Sequence, residues 1–206
     1  KLAIAGHVWT VLDIDHQHHL VYCEMVKGSI PAYFGQCPGD LHTRILQRMR
    51  RVLQEDNSYP YLMKNAVARL QQGRFTAAHA GVCDRTLVNM GGSMWCLLPW
   101  VGTYGFLALE RFLKIRCGER LGLKNFDSAR PYYMQFTMKV GREEFFRIVR
   151  EEIEKPLDPL ELVYPKELPV FDKYDEYLPE ALVKKGFALG VLDVEEMKQI
   201  VRGWEA

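Results

Sequence analysis

No apolar run in this sequence approaches the roughly 20 residues that a membrane-spanning helix needs. Closely spaced cysteine pairs are missing too. The five cysteines, Cys23, Cys37, Cys83, Cys96 and Cys117, are odd in number and no two lie three apart. That argues against zinc ribbons and thioredoxin-type sites, and fits reduced thiols in a cytoplasmic protein. Phosphate cradles of the G-x-x-x-x-G-K-[ST] type, dinucleotide G-x-G-x-x-G turns, H-E-x-x-H helices and G-x-S-x-G elbows do not occur. Their absence removes the simplest catalytic hypotheses and leaves open an enzyme of another kind. The chain also lacks an initiator Met and a signal-peptide pattern at Lys1-Leu2-Ala3-Ile4, and is expected to be a fragment of something longer.

What the chain does contain is the material of a globular protein. Of its 206 residues 48% are apolar and 26% charged, enough for a sizeable core. The net charge is only +1, yet it is unevenly spread: residues 1–130 hold 16 Lys/Arg against 10 Asp/Glu, and residues 131–206 hold 11 against 16. A polyanion is therefore expected to prefer the first part, unless the acidic remainder is merely a set of solvated helix faces.

The pattern of residues predicts an α+β fold, with small antiparallel barrel or sheet elements, packed helices and a C-terminal helical tail. The β-branched and aromatic runs 7–14 and 20–26 predict a hairpin over 7–26 with its polar turn at Asp15-His-Gln-His-His19. Residues 28–39, rich in Gly and Pro, read as a loop or a broken edge strand. Asp40 is expected to cap a helix running to Gln54, with Leu41, Ile45, Met49, Val52 and Leu53 inward. A second helix is expected over 60–72, so that helices occupy 41–72. Residues 82–155 then read β-β-α-β-α: a hairpin about Gly91-Gly92-Ser93, a helix from Thr103 to about Arg120, a clean alternating strand from Tyr132 to Val140, and an amphipathic helix over 142–155. Together these make a module over residues 1–155. Four prolines between 156 and 174 predict a linker or surface arm, and residues 156–206 form that linker with a tail of two short helices.

Three features bear on chemistry. The His16-to-His19 turn is the most metal-like, but neighbouring His18 and His19 on a strand point to opposite faces, so no metal is expected there. Asp13 and Asp15 beside it lack the burial that acid/base work by a carboxylate pair requires. Arg44, Arg48 and Arg51 share one helix face through spacings of four and three, with no acid between Thr43 and Gln54. The stripe has two readings, a clamp on successive phosphates or a solvated face. Trp9, Trp95 and Trp100 are candidates either for core packing or for stacking on bases. Trp100 is the best placed for contact, because Thr103 behind it is expected to cap a helix whose free N–H groups would seat a phosphate. The candidate nucleic-acid-binding residues are thus Arg44, Arg48, Arg51, Trp100 and Thr103; no catalytic residue is expected.

Several stretches resemble one family. Gly6-His-Val-Trp9-Thr-Val-Leu-Asp13-Ile-Asp15 with Val21-Tyr22, the loop Gly28-Ser-Ile-Pro31-Ala-Tyr-Phe34-Gly35, and Leu98-Pro99-Trp100-Val101-Gly102-Thr103 are similar to segments in the C-terminal region of Lhr-like DEAD/DEAH helicases of superfamily 2. So are Tyr177-Leu178-Pro179-Glu180 with Leu182, and Ala188 with Val191-Leu192-Asp193. The resemblance implies a nucleic-acid-binding accessory module beside single-stranded DNA or RNA. Upstream RecA-like motor and winged-helix domains would be its neighbours, with ATP and Mg bound by the parent's motor and no cofactor in this piece. A protein-docking module and an independent enzyme are the alternatives. The His-rich turn and the acidic tail are not part of the family's pattern.

Overall fold

The computed structural model describes residues 2–4, 7–26 and 39–204. Two compact units divide between Gly39 and Asp40. The 28–38 part of the expected loop, its Gly-Pro motif and Cys37 lie outside the described residues.

The first unit holds a three-stranded antiparallel sheet in the order β1 (Leu2–Ile4), β2 (His7–Asp15), β3 (Leu20–Val26). The expected hairpin is present, with a bulge between Val11 and Asp13. Asp15 shapes the turn: its Oδ1 accepts from the N–H groups of Gln17 and His18 at 3.0 Å, and its Oδ2 lies 2.8 Å from His18 Nδ1. That ring contact, helped by the backbone donors, pulls the Asp15 carboxyl below its ordinary value. The turn residues are consumed by turn geometry, which is the role Asp commonly plays there.

The second unit is built on a separate four-stranded antiparallel sheet, order β4-β5-β7-β6, from β4 (Leu87–Gly91), β5 (Met94–Leu97), β6 (Lys124–Ala129) and β7 (Tyr133–Thr137). Gly91 and Gly92 turn the β4–β5 hairpin at φ 117° and 56°, where a side chain would be strained. β7 is shorter than the expected Tyr132–Val140, and Tyr132, expected inward, is 46% exposed, but within it the alternation holds, with Met134 and Phe136, and Met138 just beyond, facing inward and at most 3% exposed. Against that face pack α3 (Thr103–Phe112), a π-helical turn Leu113–Cys117, the short α4 (Gly118–Leu121) and α5 (Arg142–Ile153). Phe106, Phe112, Phe136, Phe145 and Phe146 are each at most 1% exposed, and burial of one such ring contributes about 1.5–3 kcal/mol. The architecture is α+β, with open sheets among the described residues.

Several expectations need correction. Residues 82–155 run β-β-α-β-β-α, because β6 pairs with β7 at the sheet edge. The helix α1 (Thr43–Gln54) is capped by His42, whose Nδ1 accepts from the Arg44 N–H at 3.1 Å, while Asp40 instead accepts from the Tyr104 hydroxyl at 2.7 Å. Its inward residue is Leu46, 2% exposed; Ile45 and Met49, expected inward, are 55% and 37% exposed. The following helix α2 (Lys64–Ala80) starts later and runs longer than expected, ending on Gly81 in the left-handed conformation.

The stretch after residue 155 belongs to the second unit. Asp158 caps a 3₁₀ turn, Pro159–Leu162, through a capping box, and this carries Leu162 and Val163 into the core, while much of the proline-rich stretch beyond them, Leu168, Val170, Phe171 and Tyr174 included, runs exposed over the surface as expected. Leu162 and Val163, Phe187 from α6 (Glu180–Gly190), and Val194, Met197 and Val201 from α7 (Val194–Arg202) all join the main core. The division expected at residue 155 therefore falls inside a single compact unit.

Candidate functional site

A second, smaller cluster of Leu46, Ala77, Cys83 and Trp100 seats α1 on α2 and on the chain after β5. It fixes how α1 presents its arginines. Leu46 turned inward puts the Arg44, Arg48 and Arg51 face outward, since these positions lie on the opposite side of a 3.6-residue helix. All three are exposed. Arg44 and Arg51 have no carboxylate partner among the described residues, whereas Arg48 Nη2 lies 2.8 Å from Glu55 Oε1 and 3.1 Å from the Tyr59 hydroxyl. Glu55 is held below its ordinary value by the Tyr59 hydroxyl and then by Arg48, so that carboxylate stays charged and keeps Arg48 occupied.

Arg50, beside the stripe, points elsewhere. Its Nε donates to the Cys83 carbonyl at 2.7 Å and its guanidinium lies over the Trp100 ring at 6.0 Å. Trp100 is only 9% exposed, and the small cluster claims its ring, so it offers no open face for a base to stack on. Its backbone sits at φ 52°, a conformation uncommon for a bulky residue and held by the surrounding packing.

Thr103 also departs from expectation. Gly102, not Thr103, is the N-cap of α3. Residues 41–43 fill the place expected for a phosphate. Thr103 N–H donates to the Leu41 carbonyl and Thr103 Oγ1 accepts from the Leu41 N–H, both at 2.9 Å. Thr43 Oγ1 accepts from the Gly102 N–H at 2.7 Å and donates onward to Glu196 of α7. At 5% exposure Thr103 is a fastening point of the fold, and it and Trp100 leave the set of accessible contacts.

Below α1 the structure opens a polar cleft of about 410 Å³. Gln47 and Arg50 of α1, Trp100, Arg142 at the start of α5, Gln199 of α7 and one acid, Asp84, are among the residues that line it. Sequence reasoning missed Arg142. The available signal was its sign, because the first turn of a helix favours acids over a cation. Among the described residues no three His, Cys, Asp or Glu side chains gather into a group able to hold a metal ion. No described helix is long and apolar enough to cross a membrane.

The fold and the site define a class, an α+β protein whose arginine-bearing helix stands over a polar cleft. A more particular assignment finds no counterpart: no family model, no curated protein and no solved structure matches the chain.

Proposed function

We propose that this chain is a nucleic-acid-binding accessory module that grips or guides single-stranded DNA or RNA beside the motor of an ATP-dependent helicase. One observation carries the reading. Arg44, Arg51, Lys64, Arg69 and Arg85, on and around α1 and α2, are exposed and have no carboxylate partner among the described residues. By contrast Lys114, Arg116, Arg120, Arg147 and Lys155 each pair with glutamates of the same unit. Unneutralised cations on one region attract a phosphate chain with salt-dependent, sequence-independent affinity. The resemblance to Lhr-like helicases supplies the parent; ATP and Mg belong to its RecA-like lobes, and a cytoplasmic location goes with that reading.

Titration with labelled single-stranded DNA and RNA at low salt tests it. Replacing Arg44, Arg48 and Arg51 by Glu is expected to weaken binding at least about tenfold and to lower the salt slope by about 0.7 for each phosphate that is no longer neutralised. No measurable binding at low salt sinks the proposal, and unchanged binding by the triple variant moves the site away from α1. Docking onto another protein is the second reading, favoured by Val170 at 84% and Tyr177 at 75% exposure in an acid-rich stretch. It gains if the chain ignores single strands at low salt but co-purifies with RecA-like and winged-helix domains of an Lhr-like helicase added in trans.

A further inference from the structure

We infer that the cleft beneath α1 binds a phosphate group, as a site separate from the arginine stripe. Two buried nitrogens have no acceptor within hydrogen-bond reach among the described residues, Trp100 Nε1 and Arg142 Nε. Both residues line this same cleft. Buried polar groups are satisfied in the great majority of cases, so two orphaned donors just behind the wall of one cleft mark it as a place where an acceptor is missing. Leaving a donor buried and unpaired costs about 1–3 kcal/mol, which an oxygen entering the cleft would relieve once the side chains covering the donor give way.

The charge of the cleft agrees. Arg50 and Arg142 bring two cations to it, and neither has a carboxylate within salt-bridge distance among the described residues. Arg142 is instead stacked 5.6 Å over the Phe146 ring, which fixes its guanidinium without neutralising it. The single acid, Asp84, is engaged by Gln54 Nε2 at 3.1 Å. The amides of Gln47 and Gln199 add donors that can turn toward an oxyanion. The carbonyls at the end of α7 are in part taken up, those of Gln199 and Ile200 by the Gly203 N–H and that of Val201 by the Trp204 N–H. About 410 Å³ falls within the range of about 300–1,000 Å³ typical of small-molecule sites, enough for a phosphate with an attached sugar or base.

The inference does not depend on the single-strand reading, and the experiment keeps the two apart. Trp100 and Trp204, two of the four tryptophans, line the cleft and report on it by fluorescence. Inorganic phosphate, a nucleoside monophosphate, and oligonucleotides with and without a 5′-phosphate are titrated against chloride at equal ionic strength. A saturable change with phosphate-bearing probes is expected. Arg142→Gln should weaken it about tenfold, the effect of removing one charge-assisted hydrogen bond, and the Arg44/Arg48/Arg51 triple variant should leave it unaltered. Preference for the 5′-phosphorylated oligonucleotide assigns the group to a strand end; preference for the mononucleotide assigns it to a small molecule. Gln47→Glu, at an exposed position, puts a repelling carboxylate into the cleft without disturbing the core, and should weaken binding even if the Arg142 variant melts early. No response beyond that to chloride, or full binding in both variants, overturns the inference.

Discussion

Arg111 is only 8% exposed yet fully engaged. Its guanidinium lies 4.8 Å from the Tyr164 ring and 4.9 Å from the Phe187 ring, donates to both Glu167 oxygens at 2.6 Å, and reaches the Leu162 carbonyl at 3.1 Å. Such bidentate geometry is specific to arginine. It makes Arg111 the post to which the proline-rich segment is tied. Arg111 is the largest influence on Glu167 and holds that carboxyl below its usual 4.5. A depressed carboxyl stabilises the fold fully above its unfolded value and loses that contribution as pH falls through the folded one. Glu167→Gln is therefore expected to cost about 1.5–3 kcal/mol near neutral pH, the range for hydrogen bonds to charged groups. In urea melts at successive pH values, the gap from the parent protein should close below about pH 4. A gap that is constant with pH would show that the pair adds no electrostatic stability.

At the level of elements, the corner between α1 and α3 is a tight joint. A Cβ added at Gly102 would lie 2.6 Å from the Leu41 carbonyl oxygen and 2.8 Å from the Thr43 nitrogen, both backbone atoms that cannot swing aside. Gly102→Ala is expected to destabilise by about 1–3 kcal/mol through overpacking, lowering Tm by roughly 2–4 °C per kcal/mol. Gly118→Ala is the matched control, since its Cβ would sit 3.5 Å from the Leu113 carbonyl oxygen, an ordinary contact. That corner also shows where sequence reading stops. Strand β7, helix α5 and the β4–β5 hairpin were legible, because their periodicity and turn glycines agree with their burial. Strand β6 was not: Lys-Asn-Phe-Asp-Ser-Ala has no alternation, Asn125 sits at φ 49°, and pairing with β7 alone makes it a strand. The arginine stripe could be read from its spacing. The inward phase of α1 could not, because Ile45, Leu46, Met49, Val52 and Leu53 form a wide apolar arc and only the partners Ala77, Cys83 and Trp100 select Leu46 from it. The cleft was invisible for a plainer reason. Arg50 and Arg142 lie far apart in the chain, and no local pattern announces that they meet.

Over the whole molecule the two units differ in how much core they own. Residues 40–206 contain both hydrophobic clusters, while Val8 is the one strongly buried apolar residue described in the first unit. A chain beginning at Asp40 is expected to fold alone, with a thermal midpoint within a few degrees of the parent's by circular dichroism; a broad or absent transition would show that the second unit depends on the first.

The hydroxyl of Thr43 links α1 to Glu196 across 153 positions of sequence, and the neighbouring Leu41–Thr103 bond spans 62. During synthesis the arginine helix therefore leaves the ribosome long before Glu196, the last residue to fasten it. Until the Trp100–Thr103 corner emerges, α1 has its helical hydrogen bonds but lacks most of the partners that seat it, and a nascent chain carries its most cationic stretch exposed among the polyanions of the ribosome itself.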